Sequence, residues 1–105
     1  MLNYKIISIY TSESARAAGT SRPLYDAVVE YVRSLKTSAR CMVSRGNTGC
    51  YENGEVATTR IELLMINLPI HVQIVLPSAE VEPVLAKLET MVEDGVVGVQ
   101  SFEVV

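Results

Sequence analysis

The segment Arg45-Gly46-Asn47-Thr48-Gly49 sets a cation beside two glycines and a hydroxyl. A guanidinium offers a planar fork of donors that matches phosphate or carboxylate. Glycines leave room for backbone amides to approach a ligand closely. The chemistry these types support together is the binding of a small anion. Tyr51 follows closely and could stack on a base. Arg60, further on, would face the same opening if the flanking strands pair. Each residue also has a plainer role available. Arg45 and Arg60 could serve as surface ion-pair partners, and Gly46 and Gly49 could serve turn geometry alone.

Nothing else in the chain assembles a reaction centre. The single histidine, His71, lies in a strand pattern, and Glu89, Glu93 and Asp94 read as a solvated helix end. Catalysis needs a nucleophile or an acid–base pair in a defined pocket. No such set can be named, so the expectation is a protein that is not an enzyme and has no catalytic residue. Two cysteines and one histidine at unrelated spacings make no zinc pattern, and no metal ligand is assigned. Cys41, within a strand pattern, is expected to be buried. Cys50, in a loop, is the thiol placed to react.

The elements that must hold the Arg45 segment come from one small domain. With 105 residues, 49% of them hydrophobic and 20% charged, residues 1–105 suit a single globular core. The apolar runs are strand-length, so no membrane insertion is expected. Met1-Leu2-Asn3-Tyr4-Lys5 enters a strand pattern without a secretory signal, which predicts a cytoplasmic protein. The net charge of −3 divides unevenly, with eight Lys/Arg against five Asp/Glu up to residue 60 and one lysine against seven acids afterwards. Arg33, Lys36, Arg40, Arg45 and Arg60 surround the loop in sequence. A local anion site fits this better than nucleic-acid binding, which needs a broad basic face. A solvated charge pattern is the plain alternative.

Tyr4 to Tyr10 reads as the first strand. A hydroxyl before a proline in Thr20-Ser21-Arg22-Pro23 marks a helix start, and Leu24, Ala27, Val28, Tyr31, Val32 and Leu35 give it one apolar stripe. Arg40 to Arg45 is the second strand. The third spans Thr59 to Ile66 and Ile70 to Leu76, long or broken at Leu68-Pro69. Asn47 to Thr58 then forms a long loop between strands 2 and 3, whereas hairpin connections usually run about two to five residues. Polar and glycine-bearing, it is expected to be poorly ordered without a ligand. A second helix begins near Ser78, with Val81, Val84, Leu85, Leu88 and Val92 facing inward and Pro83 limiting its start. Gly95 suits its exit, and Val96 to Val104 forms the last strand. The order β-α-β-β-α-β is α+β and ferredoxin-like. One sheet face takes both helices. The other, with Ile6, Tyr10, Leu64 and Ile66, is too apolar for water and predicts a closed homo-oligomer of two, three or four copies.

Four ordered segments carry a resemblance. Ser21 to Glu30, Arg45 to Gly49, Asn67 to Val75 and Met91 to Val97 resemble the recurring segments of the domain-of-unknown-function 190 family, a branch of the PII-like signalling superfamily. The similarity extends from Tyr4 to Val105. It implies a homotrimer with ligand clefts between subunits. It also implies that Asn47 to Thr58 acts as a mobile T-loop, reporting ligand occupancy to a regulated partner such as a membrane transporter. The segment after the second helix, with Gly95 and Gly98, is implied as one wall of a nucleotide site, although it lacks the lysine that follows the glycines in nitrogen-regulatory PII proteins. Glu13 is implied at the cleft by its place after the first strand. The expected ligand set is thus Glu13, Arg45, Gly46, Thr48, Gly49, Tyr51, Arg60, Gly95 and Gly98. The expected effector is a small anion, with an adenine nucleotide favoured, and no resident cofactor is expected. A trimeric metal-response protein of the divalent-cation-tolerance type and a structural module that binds nothing are the rival readings.

Overall fold

The computed structural model describes residues 3–58 and 67–105. In chain order the elements are β1 (Asn3–Ser12), α1 (Leu24–Leu35), β2 (Arg40–Arg45), β3 (Thr48–Cys50), β4 (Val56–Thr58), β5 (Pro69–Pro77), α2 (Val81–Met91) and β6 (Val96–Glu103). β2, β5, β1 and β6 form one antiparallel sheet in that spatial order, and β3 pairs with β4 in a separate two-stranded ribbon. The described residues form a small α+β domain with an antiparallel sheet and two helices.

Side-chain alternation seats the helices. Along β5, Ile70, Val72, Ile74 and Leu76 are all buried, and Ile7 and Ile9 of β1 join them. Successive strand residues point to opposite faces, so this set lies on one side of the sheet. α1 covers it with Leu24, Ala27, Val28 and Val32, and α2 with Val81, Val84 and Leu88. The three- and four-residue spacings put each set on one helix stripe.

Local chemistry sets the helix ends, with one change from expectation. Pro23 occupies the N-cap of α1 and no side chain caps it. The Thr20 hydroxyl instead accepts from the Arg22 amide at 3.1 Å and donates to the Ala17 carbonyl at 2.9 Å, shaping the turn before the helix. The Ala15–Gly19 connection is also tied down: the Leu24 amide donates to Ala15 O and the Ala17 amide to Arg22 O. α1 stops at Lys36, in left-handed backbone with φ 52°. A 3-10 turn, Ser78–Glu80, leads into α2. Pro83 falls in the first turn of α2, where a missing N–H costs no helical bond.

The connection after β2 departs furthest from the sequence reading. The partner of β2 is β5, with Arg45 opposite Ile70 and Arg40 opposite Val75. The chain between these paired strands therefore runs from Gly46 to Leu68. Within it, the stretch read as plain loop contains the ribbon, with Thr48 opposite Thr58 and Cys50 opposite Val56. The ribbon turns at Gly54, whose φ of 83° suits a residue without Cβ. Pro69 begins β5, at the strand end, where its lost donor is tolerated. The expected strand from Thr59 to Ile66, with Arg60, Leu64 and Ile66, lies outside the described residues.

The register fixes what the other sheet face carries. Tyr4, Ile6 and Tyr10 of β1 lie there with Met42, His71, Gln73, Val96 and Phe102. Ile6 is buried, whereas Tyr10, Met42, Val96 and Phe102 are exposed apolar side chains. No helix of the described residues is long and apolar enough to cross a membrane.

Candidate functional site

Asn67-Leu68-Pro69 joins three parts of the molecule. The Glu13 and Leu68 backbones meet through the Glu13 amide and Leu68 carbonyl at 3.0 Å, and the Glu13 Oε1 accepts the Leu68 amide at 3.1 Å. Asn67 Oδ1 accepts the Ser14 amide at 2.9 Å, and the Asn67 carbonyl accepts the Tyr51 hydroxyl. Pro69 O accepts the Gly46 amide at 2.9 Å. The end of β1, the end of β2 and the ribbon thus share one short anchor.

Arg45 is tied to the same anchor. Its Nε lies 2.8 Å from Glu13 Oε2, so a single carboxylate links the guanidinium to the Leu68 amide. The Arg45 side chain remains 50% exposed and that of Glu13 27%. Such a pair is worth little by itself, about 0–1 kcal/mol, because solvent screens it. Its geometry matters more: a carboxylate already occupies the Nε edge of the guanidinium.

A cleft of 810 Å³ opens beside this anchor, walled by the ends of β1 and β2, the ribbon turn and the start of β6. Its floor is a row across the open sheet face, in which Ser44 lies opposite His71, His71 opposite Tyr10, and Tyr10 opposite Val96. The Tyr10 and His71 rings stack with centroids 4.7 Å apart and planes 1° from parallel. His71 Nε2 is buried without a hydrogen-bond partner among the described residues. The wall carries the Arg45 cation and the acids Glu52, Glu55 and Asp94. Burial first, then the carboxylates of Glu55, Glu13 and Asp94, raises the Tyr51 phenol pKa above its ordinary value. The phenol therefore stays protonated as the donor to Asn67.

Of the residues expected at the site, Arg45, Gly46, Tyr51 and Gly95 line the cleft. Glu13 stands behind Arg45 as its ion-pair partner. Thr48 belongs to the ribbon, its hydroxyl donating to Ala57 O at 3.0 Å. Gly46 and Gly49 have a packing reason beyond either expected role. A Cβ on Gly46 would lie 2.9 Å from Pro69 Cγ, and one on Gly49 3.0 Å from the same atom. Both glycines exist in contact with one proline ring. Gly95 likewise lies close to β1, where a Cβ would meet Tyr10 O at 3.0 Å. Gly98 faces open space opposite Ser8 and is not part of the cleft wall. Arg60 lies outside the described residues.

The sequence cluster of cations disperses in space. Arg33 pairs with Glu30 on the exposed side of α1 at 3.7 Å, and Arg40 lies at the far end of β2 from Arg45. Asp94 lines the cleft within the segment after α2 that the resemblance implies as a wall, whereas Tyr10, Ser44, His71 and Asn67 line it outside the expected set. His71 and Tyr10 meet only once strand register is known, so alternation within each strand places them on a face but not beside each other. Both cysteines are free thiols, Cys50 exposed and Cys41 half-buried rather than fully enclosed. Among the described residues no three His, Cys, Asp or Glu side chains gather into a group that could hold a metal ion.

The α+β fold and the cleft belong to a protein whose sequence matches a known family from residue 4 to residue 104. The chain belongs to the domain-of-unknown-function 190 family, DUF190, described as an uncharacterized ACR.

Proposed function

We propose that this is a PII-like regulatory protein of ferredoxin-like architecture, whose cleft takes a small anionic effector and whose ribbon reports occupancy to a partner. The observation that carries the reading is the meeting of Arg45, the ribbon and the Tyr10–His71 row around one 810 Å³ cleft. The strand order β2-β5-β1-β6 supports the ferredoxin-like assignment. The role is binding rather than catalysis. An adenine nucleotide suits the wall, because a single phosphate can take the Arg45 fork while amino and hydroxyl groups donate to Glu52, Glu55 and Asp94. Among the described lining residues one cation stands against three carboxylates, which favours a nucleotide of low charge over a polyphosphate.

The open sheet face supports self-association into a homotrimer, which would bring clefts next to neighbouring subunits. Light scattering should then give a mass three times the 11.5 kDa of the chain. A stable monomer at micromolar concentration would remove the intersubunit site. The ribbon is the element offered to a regulated partner, such as a membrane transporter, and differential contact with the effector would select its position.

Calorimetric titration of AMP, cyclic AMP, ADP and ATP tests the binding claim. Arg45→Ala should weaken the bound nucleotide by about 1.5–3 kcal/mol, the range for a hydrogen bond to a charged group. Equal binding by wild type and Arg45→Ala would make Arg45 a structural residue.

A further inference from the structure

We infer that Glu13 is an internal competitor of the effector, an inference that rests on the anion-binding reading above. Its Oε2 occupies the Arg45 Nε at 2.8 Å, and its Oε1 accepts the Leu68 amide at 3.1 Å. Glu13 does not itself line the cleft, but a phosphate or carboxylate that takes the fork of Arg45 through its Nε edge must displace this carboxylate. Two anions cannot share one guanidinium edge without repulsion, so the incoming anion replaces Glu13 there.

Replacement has a consequence beyond affinity. Glu13 holds Leu68, and the adjoining Asn67 and Pro69 hold Tyr51, Gly46 and Gly49 of the ribbon and its base. A carboxylate pulled from Arg45 loosens one side of that anchor while leaving its backbone bond to Leu68 in place. The ligand class is therefore a single compact anionic group that can exchange with a carboxylate. The coupling runs from Arg45 through Glu13 and Leu68 to the ribbon.

The pair is half-exposed, so the competition is modest in size and measurable. Glu13→Gln keeps an oxygen for the Leu68 amide and removes the charge from Arg45. Titration of AMP should show binding to Glu13→Gln about threefold to fivefold tighter than to wild type, the factor a surface ion pair of up to ~1 kcal/mol allows. Limited proteolysis without nucleotide should also cut the ribbon of Glu13→Gln faster than that of wild type. Thermal melting confirms that the variant is folded. If wild type binds AMP and Glu13→Gln binds it equally or more weakly, Glu13 is not a competitor and the anion site still stands. If neither protein binds AMP while both are folded, the anion-site reading fails and the competitor inference fails with it.

Discussion

Along β5, Ile70, Val72, Ile74 and Leu76 are sealed under two helices, while the alternate residues His71, Gln73 and Val75 look the other way toward Tyr10, Met42 and Ile6. The sealed side is uniformly aliphatic. The open side mixes rings, a thioether, amides and hydroxyls, and at one end it becomes the floor of the cleft. One strand thus does two jobs at a period of two residues. Residues on the sealed side have their identity dictated by exclusion of water, and those on the open side are free of that demand.

The largest expected effect breaks the sealed side. Ile74→Ala should destabilise the domain by about 2–5 kcal/mol through lost transfer energy and a residual cavity. Gln73→Ala, one residue away on the other face and only partly buried, should cost less, about 1 kcal/mol. Denaturant unfolding of the two variants measures the contrast. Similar losses from both would mean that the faces do not differ as their burial implies.

A smaller effect is expected where the ribbon leaves β2. Gly46→Ala places a Cβ against Pro69 Cγ and should cost about 1–3 kcal/mol by overpacking. Adding Pro69→Ala should recover part of that loss, because the clash partner is gone. If the double variant is no more stable than Gly46→Ala, backbone conformation rather than ring contact governs the position.

Local pattern made the sealed side legible. The spacing of Leu24, Ala27, Val28 and Val32 and the alternation of β5 each name their buried residues without any partner being known. Much of the site was hidden for the opposite reason. That Gly46 and Gly49 flank one proline depends on the ribbon folding back on Pro69, a contact across about twenty residues of chain that no local period encodes. Tyr10 and His71 stack because of cross-strand register. Arg45 was legible as a cation at a strand end, but its engagement with Glu13 was not, because ion-pair partners distant in sequence leave no spacing signal.

The smallest expected effect is in the pH dependence of stability. Burial raises the Cys41 thiol pKa above its ordinary 9.0. A raised folded pKa means that the native state holds its proton longer than the unfolded chain. That contribution is complete below pH 9.0 and is lost as pH rises through the folded value. The Tyr51 phenol acts in the same direction at still higher pH. Thermal melts should therefore decline at alkaline pH, and Cys41→Ala should flatten the first part of the decline. An unchanged profile in Cys41→Ala would show that the half-buried thiol does not contribute.

The proposed occupant of the cleft is tested most directly by mapping backbone amide shifts during titration with AMP. Saturable shifts are expected at Arg45, Gly46, Tyr51 and Gly95 around the cleft, with Leu68 moving as Glu13 gives way. Saturable shifts confined to residues away from the cleft, or none at millimolar nucleotide, would contradict binding there.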